Sequence, residues 1–330
     1  MNDAVIEMRL PWIVSTAWHA VLTNAHVSEG GLLSAGQELG HQAMEILSPS
    51  LVETLRGFRD DPMQCALILR NCPLDKCLPP TPYRGVQSPT QTPVACLVNL
   101  ALFQLLGISP VVYEGENEGR LFRHVVPVRN SELEKSSHGS RTRFGYHVDN
   151  PDLPLTEEPV TDVSACPEYL SLFGMRCDPG VKTTLVLVQP LLDRLGKEVI
   201  DVLASPRFMI SRPASFCSAR QTADLPLIVK AANGQWLCRF DTENTCCADA
   251  TGARAIALLR EVLDTREFDL GLLLLPGDFL IFKNQLVLHA RDAFTARHDG
   301  VDRWLMRLFG VADMARTVPA RTGRAYEIAA

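Results

Sequence analysis

The pattern of apolar and polar positions divides the chain into a helical first third and a strand-rich remainder. Residues 35–59 carry apolar side chains at helical spacing, interrupted around Pro49, which predicts one or two helices. Residues 92–106 are apolar and are followed by Gly107, which predicts a buried helix that ends there. Residues 65–69 form a short apolar run that is typical of a buried strand.

From about residue 120 onward, short apolar or alternating segments predict β-strands. These strands are expected over residues 121–128, 181–188, 236–240, 279–282 and 304–309. Residues 251–262 have the spacing of one more amphipathic helix. Residues 205–226 are polar and proline-containing, so we expect a long irregular loop that acts as a lid.

No linker or internal repeat divides the sequence, so we expect one domain over residues 1–330. Residues 1–110 would form a helical buttress with the first strands, and residues 120–312 would form the core that carries the chemistry. With 46% hydrophobic and 21% charged residues among 330, the chain can bury a large core. The ten cysteines show no paired C-x-x-C spacing, so we expect reduced, mostly buried thiols instead of zinc sites or disulfides.

The charge distribution excludes several classes of partner. The formal net charge is -6 and no basic run occurs, which argues against nucleic-acid and anionic-membrane binding. Asp3, Glu7 and Arg9 interrupt the first 22 residues, so a secretory signal is not expected there. No stretch reaches the ~20 predominantly apolar residues that a bilayer span requires. We therefore expect a cytoplasmic location.

A histidine and an aspartate two residues apart mark the candidate chemistry. His147 and Asp149 would project to the same face of an extended strand. His289 follows an apolar segment, residues 278–288, that would hold it rigidly, so it is the best candidate for a third ligand. Two histidines and one carboxylate leave three positions open on a metal, which suits non-haem Fe(II). By itself an H-x-D pair is a weak signal, because a histidine beside an aspartate is more often a surface pair.

The sequence around the third candidate ligand makes the assignment specific. Residues 276–284 read PGDFLIFKN, residues 288–291 read LHAR, and residues 299–307 read DGVDRWLMR. In this order they resemble the C-terminal half of the clavaminate synthase-like (taurine dioxygenase-type) Fe(II)/2-oxoglutarate-dependent oxygenases. That group includes the arginine and asparagine hydroxylases of peptide-antibiotic biosynthesis. The similarity extends upstream to residues 166–172 (CPEYLSL) and 69–73 (LRNCP).

The resemblance implies both a fold and an activity. The fold would be mainly β with helices: a double-stranded β-helix (jelly roll, cupin-like) with an N-terminal helical layer. The activity would be Fe(II)- and 2-oxoglutarate-dependent hydroxylation of an unactivated carbon of a free L-amino acid, with O2 consumed and succinate and CO2 released. Two positions depart from the group, since Asp149 stands where glutamate is frequent and Ala290 where glycine is commoner. Aspartate is the usual ligand in the wider superfamily, so the iron site is retained.

Two arginines follow His289 at a spacing that suits carboxylate recognition. Arg303 and Arg307 lie four residues apart on a predicted strand and would project to one face. By resemblance, Arg303 would bind the distal carboxylate of 2-oxoglutarate and Arg307 the α-carboxylate of the amino acid. The resemblance also implies that Thr184 contacts 2-oxoglutarate, although the adjacent Thr183 leaves that assignment open by one residue.

The residues that would select the substrate side chain rest on the resemblance as well. Asp241 and Glu243 would share one face of an extended segment, and they resemble the two acidic residues that arginine hydroxylases direct at the guanidinium. This favours a basic substrate of the arginine or lysine type; a solvated acidic turn is the alternative. Glu116 and Ser137 lie in stretches that resemble those contacting the substrate amino group.

Three other interpretations of the same sequence stay open. The same site could act on an asparagine-like or carrier-bound amino acid. The reaction could end in desaturation or cyclisation, because these outcomes use the same ligands. Outside enzymes, the alternative is a non-catalytic β-helix binding protein, against which the intact ligand set argues.

Overall fold

The computed structural model describes residues 3–25 and 29–330. Most helices lie in the first third of the chain, and three more are inserted among the later strands. The helices are α1 (Trp12–Asn24), α2 (Leu32–Ile46), α3 (Pro49–Phe58), α4 (Pro93–Leu106), α5 (Val188–Leu195), α6 (Lys197–Leu203) and α7 (Ala250–Asp264).

The strands are short, and most of them lie after residue 108. They are β1 (Val5–Arg9), β2 (Ala66–Arg70), β3 (Ser109–Tyr113), β4 (Arg123–Val125), β5 (Phe144–His147), β6 (Tyr169–Arg176), β7 (Thr183–Leu187), β8 (Phe208–Ser211), β9 (Gln221–Leu225), β10 (Ile228–Lys230), β11 (Trp236–Cys238), β12 (Thr245–Cys247), β13 (Leu270–Leu272), β14 (Phe279–Lys283), β15 (Val287–Arg291), β16 (Trp304–Val311) and β17 (Glu327–Ile328).

Two sheets dominate the architecture. The major sheet has the strand order β1-β2-β14-β6-β16-β3-β17, with β4 also paired to β16. The minor sheet has the order β13-β7-β15-β5. Two smaller sheets, β12-β8-β9 and β10-β11, complete the strand structure. This arrangement of facing sheets with an N-terminal helical layer confirms the predicted jelly roll.

The major sheet is buried on both faces, and alternate residues of its strands belong to two different cores. On β16, Leu305 and Phe309 join the core between the two sheets, whereas Met306 and Leu308 join the core beneath the helices. Because successive strand residues point to opposite faces, one apolar strand can serve both cores. The central strand β6 is buried at seven of its eight positions, from Tyr169 to Met175.

The helical layer forms largely as the sequence predicts. Residues 35–59 become two helices, α2 and α3, because Pro49 begins the second and the side chain of Ser48 caps it. Helix α4 is almost completely buried, and the Asp75 carboxylate accepts hydrogen bonds from two backbone amides of its first turn, at 3.0 and 2.9 Å. Gly107 ends α4 in the left-handed conformation, with φ of 66°.

Several strand predictions are confirmed in position but were too long. The segment predicted at 121–128 contains only the three residues of β4, and 181–188 contains β7 followed directly by α5. The apolar run at 278–288 is two strands, β14 and β15, separated by a single helical turn at Asn284–Leu286. His289 therefore lies inside β15 and does not follow it. Three polar residues, Lys283, Asn284 and Gln285, interrupt the apolar run at this turn and were the available signal for it.

The lid predicted at residues 205–226 is wrong as an irregular loop, because β8 and β9 pair within it. The polar sequence of β9 concealed the strand, since most of its residues are exposed on an edge and show no apolar alternation. Only the connection between these strands is irregular, and three of its residues, Pro213, Ala214 and Ser215, line the cavity described below. A closing motion of this connection stays a prediction.

The N-terminal segment forms secondary structure that the sequence pattern did not predict. Strand β1 pairs in parallel with β2, with Val5 opposite Ala66 and Arg9 opposite Arg70. Helix α1 follows directly and buries Trp18 and Leu22. In the described part of the chain no helix is long and apolar enough to cross a membrane. The cytoplasmic location stays a prediction.

Close approach of α2 to α4 depends on two glycines. A methyl group added at Gly36 would overlap the Cβ atom of Leu100, and one added at Gly40 would lie 2.7 Å from the Cβ atom of Gln104. Any side chain at these positions would force the two helices apart.

We predict that Gly36→Ala destabilises the protein by ~1–3 kcal/mol, because the added methyl overpacks the α2–α4 contact. The matched control is Gly57→Ala in α3, where nothing lies within 4 Å of the new Cβ atom. That change should stabilise the protein by ~0.5–1 kcal/mol through helix propensity alone. Urea denaturation of both variants measures the difference, and equal effects would contradict the close packing.

Candidate metal centre and its cavity

The three predicted ligands meet at the end of the minor sheet. His147 ends β5 and lies directly opposite His289 on the antiparallel strand β15, so both imidazoles project to the same face. Asp149 follows two residues after His147. One ligand atom from each of the three side chains lies within 4.8 Å of the others. His289 Nε2 lies 3.6 Å and His147 Nε2 lies 4.0 Å from an Asp149 carboxylate oxygen.

The donor set fits a divalent metal ion. His147 Nδ1 is 2.8 Å from the carbonyl oxygen of Gly145, and a proton on Nδ1 donated to that oxygen leaves Nε2 free to ligate. His147 Nε2 is buried and has no hydrogen-bond partner, which is costly unless a ligand completes the site. Burial lowers the pKa of His289 to about 3, with His147 contributing, so its imidazole is neutral at pH 7 as metal ligation requires.

The carboxylate of Asp149 remains ionised despite its burial. Burial alone would raise its pKa, but the neighbouring positive charge of Arg307, followed by the electrostatic influence of the two imidazoles, holds the pKa below its ordinary value. The Asp149 Oδ1 atom lies 3.5 Å from Nη1 of Arg307. The carboxylate is therefore available as an anionic ligand at neutral pH.

The backbone of Asp149 is held by a buried amide from the turn between β14 and β15. Asn284 Oδ1 accepts from the Asp149 backbone N–H at 3.1 Å, and Asn284 Nδ2 donates to the Asp149 carbonyl at 3.1 Å. The same Nδ2 donates to the carbonyl of Pro167 at 3.0 Å. Asn284 is fully buried. It thus fixes the chain segment that presents the carboxylate.

A cavity of about 330 Å³ opens beside the three ligands. Both large sheets contribute to its wall, through residues such as Leu172 and Leu305 from the major sheet and Ala290 from the minor sheet. Three loop segments, at 134–137, 213–215 and 241–244, supply much of the remaining wall. Strands therefore form one side of the cavity wall, and loops form the other.

Arg303 enters the cavity as a buried cation that forms no ion pair within the described part of the chain. Its Nη2 atom donates to Thr183 Oγ1 at 3.1 Å. Burial lowers its pKa to about 9, and neighbouring Arg291 contributes. Thr183 lines the cavity, but Thr184 does not. Adjacent strand residues point to opposite faces, so of the two threonines Thr183 shares the cavity with Arg303, while the contact of Thr184 with 2-oxoglutarate stays a prediction.

Arg307 also lines the cavity, but its charge is already compensated. Its Nη2 atom lies 2.5 Å from Glu116 Oε1, in addition to the contact with Asp149. The other Glu116 oxygen accepts from Asn150 Nδ2 at 3.3 Å. Glu116 is completely buried and is not part of the cavity wall. In this structure the Glu116 carboxylate holds Arg307, and its predicted contact with the substrate amino group stays a prediction.

The acidic pair predicted to select the substrate side chain lines the cavity, but not on an extended segment. Residues 241–244 form a turn, in which Asp241 Oδ1 accepts from the backbone amides of Glu243 and Asn244 at 2.8 and 3.1 Å. Glu243 pairs with Lys135 Nζ at 2.8 Å. The premise of an extended segment is corrected, because the Asp241 side chain stabilises a turn. Both carboxylates have partners within the protein.

Two buried arginines of the cavity wall were missed in the sequence. Arg123 begins β4, and its Nε donates to Ser137 Oγ at 3.1 Å. Arg291, two residues after His289, donates to two backbone carbonyls. The available signal for Arg123 was a charged residue sharing one face of a predicted strand with Val125. The available signal for Arg291 was its spacing of two residues from His289, which places both side chains on one face of a strand.

Comparison with known proteins gives consistent results. The model of the "Taurine catabolism dioxygenase TauD, TfdA family" matches residues 232–309. An L-asparagine oxygenase of Streptomyces coelicolor is 30% identical over 304 residues, which cover 89% of this chain and 85% of that protein. An L-lysine 3-hydroxylase of Catenulispora acidiphila is 26% identical over 264 residues, covering 78% of this chain and 70% of that protein.

Solved structures agree along nearly the whole chain. Asparagine oxygenase in complex with Fe(II), 2S,3S-3-hydroxyasparagine and succinate matches with a TM-score of 0.81 and 25% identity, covering 98% of this chain and 99% of that one. The non-heme iron oxygenase OrfP in complex with Fe, succinate and (3S)-hydroxy-L-Arg matches with a TM-score of 0.78 and 26% identity, covering 97% of each chain.

We predict that Asn284→Ala weakens Fe(II) binding by about 10- to 100-fold, because the segment carrying Asp149 loses its anchor. Anaerobic Fe(II) titration measures the affinity. The matched control is Gln285→Ala, since that neighbouring buried amide contacts Thr156 and Cys166 and does not touch Asp149. Equal loss of metal affinity in both variants would mean that Asn284 only supports the fold.

Proposed function

This chain belongs to the TauD/TfdA family of Fe(II)- and 2-oxoglutarate-dependent oxygenases, and we propose that it hydroxylates an unactivated side-chain carbon of a free L-amino acid. The observation that carries the proposal is the cluster of His147, Asp149 and His289 beside a cavity lined by Arg303 and Arg307. The relatives named above, an asparagine oxygenase and a lysine hydroxylase, support an amino acid as the substrate class.

In this proposal His147, Asp149 and His289 hold Fe(II), and three positions stay open for 2-oxoglutarate and O2. When bound, the iron supplies the oxidising chemistry that replaces a C–H bond by C–OH while 2-oxoglutarate becomes succinate and CO2. The contribution of the protein is to place one carbon of the substrate near the metal and to exclude water.

Arg303 and Thr183 are proposed to bind the distal carboxylate of 2-oxoglutarate. The support is electrostatic. Among the described residues, the hydrogen bond of the Arg303 side chain goes to the Thr183 hydroxyl, and burial lowers the pKa of the guanidinium. A carboxylate brought to it would form a charge-assisted bidentate contact in a site with little water. The cosubstrate would thus supply the charge that the cavity lacks at this position.

Arg307 is proposed to bind the α-carboxylate of the amino acid, with Glu116 behind it as a positioning residue. The ion pair at 2.5 Å fixes the guanidinium and limits its rotation toward the metal. Ser137, which lines the cavity, is proposed to contact the polar end of the substrate. These three side chains would orient the amino acid relative to the iron, so that one carbon is presented to it.

For the side chain of the substrate we propose a basic amino acid of the arginine or lysine type, with a neutral amide such as asparagine as the second candidate. Asp241 and Glu243 line the cavity, which supports a cationic side chain. The second candidate is favoured by a different observation: both carboxylates already have partners, Asp241 in its own turn and Glu243 on Lys135. A neutral amide would need no displacement of these contacts.

We predict that protein reconstituted anaerobically with Fe(II) forms succinate from 2-oxoglutarate at a rate that at least one proteinogenic amino acid stimulates. Mass spectrometry of the product should show one added oxygen atom. Loss of two hydrogens would instead indicate desaturation or cyclisation. His289→Ala should abolish turnover without changing the far-UV circular dichroism spectrum, since it removes one metal ligand. Retained Fe(II)-dependent turnover in that variant would refute the proposed centre.

We predict that Glu243→Gln raises KM for arginine or lysine by about threefold to tenfold, because one half-exposed charge contact is lost. Glu261→Gln, an exposed carboxylate on α7 away from the cavity, is the matched control and should leave KM unchanged. If the enzyme accepts asparagine and rejects every basic amino acid, the role given to Asp241 and Glu243 is wrong.

A further inference from the structure

Four buried guanidinium groups line the cavity, and they fall into two kinds. Arg291 and Arg307 are satisfied by the protein, the first by two backbone carbonyls at 2.8 Å and the second by the carboxylate of Glu116. Arg303 and Arg123 each hold only one hydroxyl group. Among the described residues, no carboxylate lies within 4 Å of either of these two cations.

Arg123 is placed where its positive charge is especially unfavourable without an anion. It is 6% exposed, and the hydrogen bond found for it among the described residues runs from Nε to Ser137 Oγ at 3.1 Å. Its remaining N–H groups can therefore donate to a ligand in the cavity that Arg123 lines. It also lies directly opposite Arg307 on the antiparallel pair β4–β16, so two guanidinium groups share one face. Like charges directly opposite one another destabilise a strand pair.

Among the described residues, no buried carboxylate at this end of the cavity is left to pair with Arg123. Arg123 and Arg307 contribute two cations, and Glu116 compensates one of them through its contact with Arg307. Asp149 and Glu134 are the other carboxylates near Arg123. In the proposed function Asp149 is committed to the metal, and Glu134 is exposed and forms no ion pair with Arg123. Burial lowers the pKa of Arg123 to about 10, and Arg307 contributes, yet the group stays protonated at pH 7.

We infer that Arg123, with Ser137 beside it, binds a carboxylate group of the amino-acid substrate and shares that group with Arg307. This inference rests on the proposed function and adds to it a residue that the sequence resemblance did not provide. The Arg303–Thr183 pair is built in the same way, from one buried guanidinium and one hydroxyl. The cavity then has two carboxylate sites, one for 2-oxoglutarate and one for the substrate.

The α-carboxylate is the group that the geometry favours, because Arg123 and Arg307 stand side by side on paired strands. A carboxylate has two oxygens, so one can accept from each guanidinium. A side-chain carboxylate of an acidic amino acid has the same chemistry and is the competing source. Substrate analogues separate the two sources, as described below.

The first test compares Arg123→Gln with Arg303→Gln, using whichever amino acid stimulates wild-type succinate formation. Arg123→Gln should raise KM for the amino acid by about 10- to 150-fold, the loss of one charge-assisted contact, and leave KM for 2-oxoglutarate unchanged. Arg303→Gln should do the reverse. Arg123→Lys, which retains the charge, should restore part of the affinity.

The second test uses the α-amide of the same amino acid. If Arg123 binds the α-carboxylate, wild type should bind the amide about as weakly as Arg123→Gln binds the acid, and the variant should show little further loss. Strong binding of the amide together with a requirement for an acidic side chain would assign the site to a side-chain carboxylate and overturn the preference for the α-group.

Thermal stability distinguishes a structural role of Arg123 from a role in substrate binding. In Fe(II)- and 2-oxoglutarate-loaded enzyme without substrate, Arg123→Gln should keep or raise Tm, because an uncompensated buried charge is removed. A lower Tm with an unchanged KM for the amino acid would overturn the inference while the proposed function stands. If no amino acid stimulates turnover by wild type, the proposed function fails and this inference fails with it.

Discussion

The antiparallel pairing of β5 with β15 is the constraint on which the rest of the site depends. It places residue 147 opposite residue 289, across 142 positions of sequence, and turns both imidazoles to one face. Direct cross-strand neighbours have Cβ atoms ~4.5–5.5 Å apart, a separation from which two imidazoles can reach one metal ion. Everything else in the site, from the Asp149 carboxylate to the arginines, is arranged around a position that this register defines.

The fold tolerates the buried guanidinium groups of the cavity because they are few and lie among well-packed apolar strands. Two strands of the major sheet carry guanidinium groups into a buried space, and the surrounding apolar strands prevent them from turning away. Where the protein supplies an anion, as at Arg307, the group is fixed. Where it supplies only a hydroxyl, as at Arg123 and Arg303, the buried charge lacks a counter-charge, and a bound carboxylate would provide it.

The sequence was informative where chemistry is encoded locally. The H-x-D pair, the distant histidine and the arginines after it could be assigned from spacing and resemblance, and helix α4 from its apolar length and Gly107. Strand β9 could not, because an exposed edge strand has no apolar alternation. The adjacent Thr183 and Thr184 could not be told apart until the pairing of β7 was known. The face of Arg291 follows from its position two residues after His289 on one strand, but its hydrogen-bond partners depend on tertiary contacts.

The cavity wall consists of strands and loops, and substitutions in these two parts have different consequences during evolution. The metal ligands and Arg303 lie on or beside paired strands, where a shift in register would disrupt the whole sheet. The segments at 134–137 and 213–215 are connections whose length and residues can vary without disturbing that register, whereas Asp241 pairs with His147 and joins the segment at 241–244 to β5. A lineage built on this scaffold can therefore exchange one substrate for another by changes in two short loops and in the side chains of a third, while the oxidative chemistry is inherited unchanged.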